Sequence, residues 1–187
     1  MRRLKENRIV SASAGQMTMA EYVAYRIREV MPPFLAQFLG EDATLVPVPR
    51  SSLQKAHAIW PAMEIAAALR SRGFGGQVST CLSRARAVPK AATAPAQGRP
   101  RAAAHLESLQ VSSAVDLPPV VVLVDDVITR GAQVMGAAWA LWKVRPDLEI
   151  RAFAVIRTTS DEGAFTDVID PVIGTITVRG AETFRAP

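Results

Sequence analysis

Val120-Val121-Val122-Leu123-Val124-Asp125-Asp126-Val127-Ile128-Thr129-Arg130-Gly131-Ala132-Gln133 is the stretch on which the fold turns. Its unbroken aliphatic opening predicts a strand buried on both faces, the pattern of a parallel sheet. The strand delivers two adjacent carboxylates at its C-terminal end, which is where open α/β sheets bind ligands. A short loop with a hydroxyl and a glycine follows, and a helix is expected from about Gly131 to Lys143. Backbone N–H groups at a helix start, with the helix dipole behind them, form an anion cradle. Gly131 has no Cβ to hold an anion away. One acid would suffice as a helix cap; two neighbours repel, so the pair points to chemistry.

Strand and helix signals alternate on both sides of this stretch. Thr18 and Glu21 form a capping box. It opens a helix with apolar residues at Tyr22, Val23, Ile27 and Val30, which Pro32 and Pro33 end or kink at Met31. Phe34, Leu35, Phe38 and Leu39 predict one further turn closed by Gly40. Residues 44–49 read as a short strand with a proline-marked exit, and the prolines point to a strand near a sheet edge or to a special loop. Pro61 opens a helix to Ser71, with Gly73 as the residue that closes it. Strands are expected at Val78–Leu82, Arg151–Ile156 and Ile173–Val178, and a short one at Arg8–Val10. Residues 86–105, rich in alanine with Pro89, Pro95, Gly98 and Pro100, read as a long mobile loop. The expectation is an α/β fold with a mainly parallel central sheet flanked by helices, in a single domain over 1–187.

Composition excludes several classes. The 187 residues are 49% hydrophobic and 21% charged, a globular balance. The single cysteine, Cys81, rules out a disulfide framework. It is expected in a strand, buried and inert. His57 and His105 are too few for a three-histidine metal centre. No apolar run reaches membrane-spanning length, and the basic N-terminus lacks the apolar stretch of a signal peptide, so a cytoplasmic protein is expected. The net charge is +5, but nine basic residues face a single acid, Glu64, between Arg50 and Arg101. That span attracts anions. No aromatic residue lies between Phe74 and Trp139. Single-strand nucleic-acid binders interleave stacking platforms with their cations, so the gap favours a compact anion such as phosphate or pyrophosphate. Trp60, Trp139 and Trp142 read as core or interface anchors, and His105 as a loop or packing histidine.

The Val121–Gln133 stretch resembles the phosphoribosyl-pyrophosphate (PRPP) signature of type I phosphoribosyltransferases: four apolar residues, two acids, two apolar residues, then a loop with threonine and glycine. The resemblance implies that Asp125 and Asp126 hold the ribose hydroxyls as the catalytic pair. It implies that Thr129, Arg130, Gly131, Ala132 and Gln133 hold the 5′-phosphate. Arg130 and Gln133 depart from the pattern, standing where hydroxyl residues are common. Leu45-Val46-Pro47-Val48-Pro49-Arg50 is similar to the first strand and pyrophosphate loop of the competence-type (ComF) branch. Leu82-Ser83-Arg84-Ala85-Arg86, followed by Lys90, resembles that branch's segment before its flexible loop. The resemblance covers roughly 44–157; the branch's amino-terminal cysteine cluster is absent, and a small hood would come from 1–40, 158–187 or both.

In the reaction so implied, a nucleophile displaces pyrophosphate from C1 of PRPP with Mg²⁺ present. Pro49, Arg50 and Ser51 would meet the pyrophosphate, with Arg84, Arg86 and Lys90 as loop cations closing over it and excluding water. Mg²⁺ would be held mainly by PRPP oxygens, with no direct protein ligand assigned. On position alone, Thr158 and Thr159 would contact the acceptor, a nucleobase or amine that the residues do not specify. Two other readings stay open: a module that senses PRPP or a nucleotide without turnover, and a competence-type protein handling nucleic acid. Assembly, a homodimer included, is also open.

Overall fold

A computed structural model describes residues 1–30, 32–89, 98–112, 116–158 and 171–186. The elements run α1 (Arg2–Lys5), β1 (Ile9–Ala12), β2 (Gly15–Thr18), α2 (Met19–Val30), α3 (Pro33–Phe38), β3 (Ala43–Pro47), α4 (Pro61–Ser71), β4 (Gln77–Val78), β5 (Leu82–Arg84), α5 (Ala102–Glu107), β6 (Leu109–Val111), β7 (Val120–Ile128), α6 (Ala132–Val144), β8 (Glu149–Arg157), β9 (Thr175–Arg179) and β10 (Glu182–Ala186). The central sheet has the order β4-β3-β7-β8, and every pairing in it is parallel.

The aliphatic run of β7 is continuous because both faces are covered. Val122 and Val124 join Leu45 in a core with α2, α3 and α4, among them Ala24, Leu35, Ile65 and Leu69. Val121 and Leu123 join Val46 and Val48 in a second core with α6, whose Val134, Ala137 and Leu141 are buried there. The strand period of two thus distributes one sequence run over two cores. The connection β3–α4–β4 leaves the sheet centre one way with its helix on the first face. The connection β7–α6–β8 leaves the other way with its helix on the second. Opposite directions and opposite faces are what a uniform crossover hand requires.

Local signals form as expected at several points. Glu21 Oε2 accepts from the Thr18 N–H at 2.7 Å and the Thr18 hydroxyl at 2.9 Å, closing the capping box. Pro61 is the first residue of α4, and Gly73 takes φ +84° just past its end. Gly40 is not left-handed, so α3 ends without that cap.

Other expectations are corrected. The strand expected over 44–49 is β3, Ala43–Pro47, which is not itself an edge strand but lies between the short edge strand β4 and β7, and residues 48–49 leave it as a loop. Pro47 is tolerated because Val48 N–H donates to Val124 O at 2.9 Å while Leu45 O accepts from Ser79 N–H at 2.9 Å. The Pro47 nitrogen therefore faces β4, which spans only Gln77–Val78 and has already diverged. The strand expected over 78–82 splits, because after Ser79 the chain leaves β3 and Cys81 O accepts from Ser112 N–H at 2.7 Å. Cys81 lies between β4 and β5, buried, and burial raises its thiol pKa. The expected last strand becomes β9, paired among the described residues only with β10, in an antiparallel hairpin.

The stretch read as loop to 105 instead becomes helical at Ala102. Alanine has the highest helix propensity, and tertiary packing makes the short helix viable. Residues 90–97 of that stretch lie outside the described residues. A Cβ on Gly136 would lie 2.5 Å from His105 Cβ and 2.7 Å from Ala102 O, so α5 and α6 approach through a glycine. His105 is buried at that contact, as a packing residue, with Nδ1 unpartnered among the described residues. Burial, then the nearby Arg84 charge, pushes its pKa down to about 4. An unfolded histidine binds its proton near ~6.5. Between those values the unfolded state binds more protons, so stability is full above ~6.5 and falls as pH drops toward 4. Denaturant melts should lose up to about 3 kcal/mol over that window. His105→Leu should flatten the loss; an unchanged pH profile would contradict this account.

Candidate functional site

β3 ends at Pro47, opposite Val124, while β7 continues to Ile128 paired with β8. Past Val124, β7 therefore has no neighbour on its β3 side among the described residues. The chain connections diverge between these two strands, which makes this the topological switch point, where α/β sheets open a crevice. Asp125 and Asp126 occupy the extension of β7 on one side of it. Val48–Ser51 form the other.

The Val48–Ser51 turn is held from behind by its carbonyls. Trp60 Nε1 donates to Val48 O at 2.9 Å, Arg84 Nη2 to Pro49 O at 3.1 Å, Arg84 Nε to Arg50 O at 2.9 Å, and Val88 N–H to Ser51 O at 2.8 Å. The N–H groups of Arg50 and Ser51 have no acceptor among the described residues. A turn with carbonyls tied back and amides free is suited to an anion. Arg50 Nη1 donates to Ile59 O at 2.8 Å, which bends its side chain along the same loop.

Arg84 lies at the centre of this framework rather than on a moving loop. It is buried, and besides the two turn carbonyls its guanidinium reaches the Ser108 hydroxyl and, at 3.5 Å, His105 O. Burial lowers its pKa to about 10, and the charge of nearby Asp125 opposes that fall. It remains a cation at neutral pH.

The two carboxylates differ. Asp125 is buried; its Oδ1 accepts from the Asp126 N–H at 2.9 Å and its Oδ2 from Gln133 Nε2 at 3.4 Å. Burial raises its pKa well above the usual carboxylate range, and the neighbouring Asp126 charge raises it further. Asp126 is 18% exposed, with Lys5 Nζ 3.9 Å from Oδ2. This donor set, one desolvated and one accessible carboxylate, fits a hard cation that takes most of its oxygens from a ligand or water. Among the described residues no cluster of three metal-ligating side chains forms.

The loop after β7 brings Gly131 to φ +85° as N-cap of α6, whose first turn no side chain caps. The positive φ itself requires glycine. A Cβ there would meet Ile176 Cδ1 at 2.8 Å, so the chain's own C-terminal hairpin covers this face of the turn. Thr129 is exposed. Ala132 and Gln133 form the first turn of α6, and Gln133 turns its amide to Asp125. Arg130 turns away, to Glu182.

Remaining expected positions lie farther out. Arg86 is exposed and pairs with Glu107 at 2.8 Å. Thr158 N–H donates to Ile128 O at 3.0 Å, closing the ends of β7 and β8. Lys90 and Thr159 lie outside the described residues. Residues not foreseen are Lys5, Glu182 and Arg185. Arg185 donates to Ile128 O at 3.1 Å and to Thr158 O. Both chain ends thus reach the site. A cavity of about 1240 Å³ follows β8 between Tyr22, Phe34 and Met135, and none of the acid pair, Gly131 or Arg50 lines it. No helix among the described residues is long and apolar enough to cross a membrane.

No protein-family model matches the chain, and no curated protein matches it significantly.

Asp125 binds its proton more tightly folded than unfolded, so its contribution to stability falls as pH rises through the raised folded value. Asp125→Asn removes that cost. The variant should melt about 2–4 °C higher than the wild type at pH 8. At pH 4 the difference should shrink. A variant less stable than the wild type at pH 8 would contradict the desolvation of Asp125.

Proposed function

We propose that this chain is a Mg²⁺-dependent phosphoribosyltransferase, using PRPP and a nucleobase or amine acceptor and releasing pyrophosphate. The observation that carries the reading is the topological switch point itself. There the Asp125–Asp126 pair stands next to a turn whose amides have no acceptor among the described residues, beside a helix start without a side-chain cap.

The chemistry divides among these parts. As pyrophosphate leaves C1, positive charge grows on the ribose and negative charge on the leaving group. Asp126, the accessible carboxylate, would meet the ribose hydroxyls and the growing cation. Asp125, desolvated and held by Gln133, would orient Asp126 through its backbone N–H. The Arg50 and Ser51 amides would receive the pyrophosphate, with the buried Arg84 charge behind them, prepositioned at no cost during the step. The amides of Gly131, Ala132 and Gln133 would take the 5′-phosphate. Mg²⁺, carried mainly by PRPP oxygens, would supply charge neutralisation at the leaving group.

The placement of the basic residues favours a small anion over a polynucleotide. Arg50 and Arg84 turn inward to loop carbonyls, and Arg86 pairs with Glu107. They do not form one outward cationic track.

Purified protein with PRPP, Mg²⁺ and a panel of bases and amines should release pyrophosphate, measured by a coupled phosphate assay. Changing both Asp125 and Asp126 to Asn should lower the rate at least about 100-fold. Turnover that survives the double change rejects the role of the pair. PRPP binding by calorimetry with no acceptor consumed would favour a sensor instead.

A further inference from the structure

The C-terminal hairpin places a carboxylate beside the loop that the transferase reading gives to phosphate. β9 and β10 are joined by the two-residue turn Gly180-Ala181, with Gly180 at φ +61°. Just after the turn, Glu182 Oε2 lies 3.1 Å from Arg130 Nη1 and Oε1 lies 2.9 Å from Arg101 Nε. Arg130 belongs to the loop between β7 and α6, and Arg101 precedes α5, so one carboxylate draws together two segments far apart in sequence. The hairpin also sets Ile176 over Gly131 and anchors at Ile128 O and Thr158 O through Arg185. It therefore covers the candidate phosphate loop with apolar surface at one point and negative charge at another.

We propose that Arg101 and Arg130 form an anion site whose resident counter-ion is Glu182, and that a phosphate monoester replaces this carboxylate and releases the hairpin from the loop. The arginine pair stands on the contacts above; the identity of the phosphate as that of PRPP rests on the proposed function. The exchange is favourable in direction. Arg130, Arg101 and Glu182 side chains are 46%, 59% and 38% exposed, so each ion pair is a weak, solvated one. A phosphate carries about −1.5 to −2 charges and three acceptor oxygens, against one charge and two oxygens for Glu182. Two arginine forks match the phosphate better than they match a single carboxylate. Removal of the carboxylate also frees Ile176 to leave Gly131, opening the amides at the start of α6. The segment that leads into α5 then answers to phosphate through Arg101, although it belongs to no part of the PRPP motif.

The test is calorimetry on the full chain with ribose 5-phosphate and with inorganic phosphate. Glu182→Gln should bind both about five-fold more tightly than the wild type, the scale of losing two exposed ion pairs. Arg130→Gln and Arg101→Gln should each weaken binding, and the Glu182→Gln gain should vanish in the Arg130→Gln background. Affinity unchanged within about two-fold, or weakened, in a Glu182→Gln protein of normal melting temperature overturns the proposal. So does absence of binding in every variant. A second readout needs no variant: ribose 5-phosphate should speed trypsin cleavage after Arg179 in the wild-type hairpin, and protection or no change counts against release. These outcomes are separate from the transferase reading, which falls instead if pyrophosphate is never released while phosphate still displaces Glu182.

Discussion

The unequal length of two paired strands governs this molecule. β3 and β7 run parallel and in register to Pro47 and Val124, and there β3 stops. β7 goes on, held among the described residues by β8 alone. A backbone edge inside a three-layered protein is costly unless its polar groups find partners. Here the edge lies at the topological switch point, and two carboxylates stand on it. Had β3 carried on, Asp125 would have faced a neighbouring strand. The strand exit at Val48-Pro49 is therefore as much a part of the site as the acids are. It is fixed by a proline whose missing N–H costs nothing because β4 has already left.

Arg84 converts that geometry into electrostatics. A buried guanidinium is expensive to desolvate unless its donors are met. Pro49 O, Arg50 O, Ser108 Oγ and His105 O meet them. The same bonds turn the carbonyls of the 49–50 turn backwards and leave its amides forward. One residue thus supplies a fixed positive charge close to Asp125 and sets the direction of a turn. It also depresses His105, whose neutral ring completes the packing of α5 on Gly136. The cost of holding Asp125 and Arg84 out of water is borne by the two aliphatic cores on either side of the sheet.

How far the sequence disclosed this depends on the range of the interaction. Elements written in local patterns were legible: the β7 run, the Thr18–Glu21 box, Pro61 and Gly73 around α4, the α6 start at Gly131. The adjacency of Asp125 and Asp126 to the Gly131 turn was legible for the same reason. Features that depend on a distant partner were not. Nothing near Pro47 says that β4 will be too short to need its N–H. The alanines at 102–104 look like loop until Gly136 offers them a surface. Arg84 reads as a loop cation closing over the pyrophosphate, and its buried framework role is not legible, because its acceptors are mostly main-chain carbonyls, which carry no sequence signal. Lys5 and Glu182 reach the site from the two ends of the chain, through segments whose own patterning is weak.

The two acids illustrate why a site is seldom the most stable arrangement of its residues. Asp125 makes good contacts, from the Asp126 N–H and from Gln133, yet burial and its neighbour's charge both oppose its ionisation. A single acid at that strand end would accept from the same donors without a second charge beside it. Keeping two carboxylates there stores unfavourable electrostatic energy that a cationic partner can relieve. Lys5 relieves it in part, at 3.9 Å from Asp126 and half exposed. A divalent cation or a sugar bearing positive charge would do so more completely, and the difference is the free energy available for recognition. The same logic applies at the rim, where Glu182 satisfies Arg130 and Arg101 without saturating them. In both places the chain answers a charge with a weaker partner than a ligand would provide, which leaves each position able to prefer the ligand.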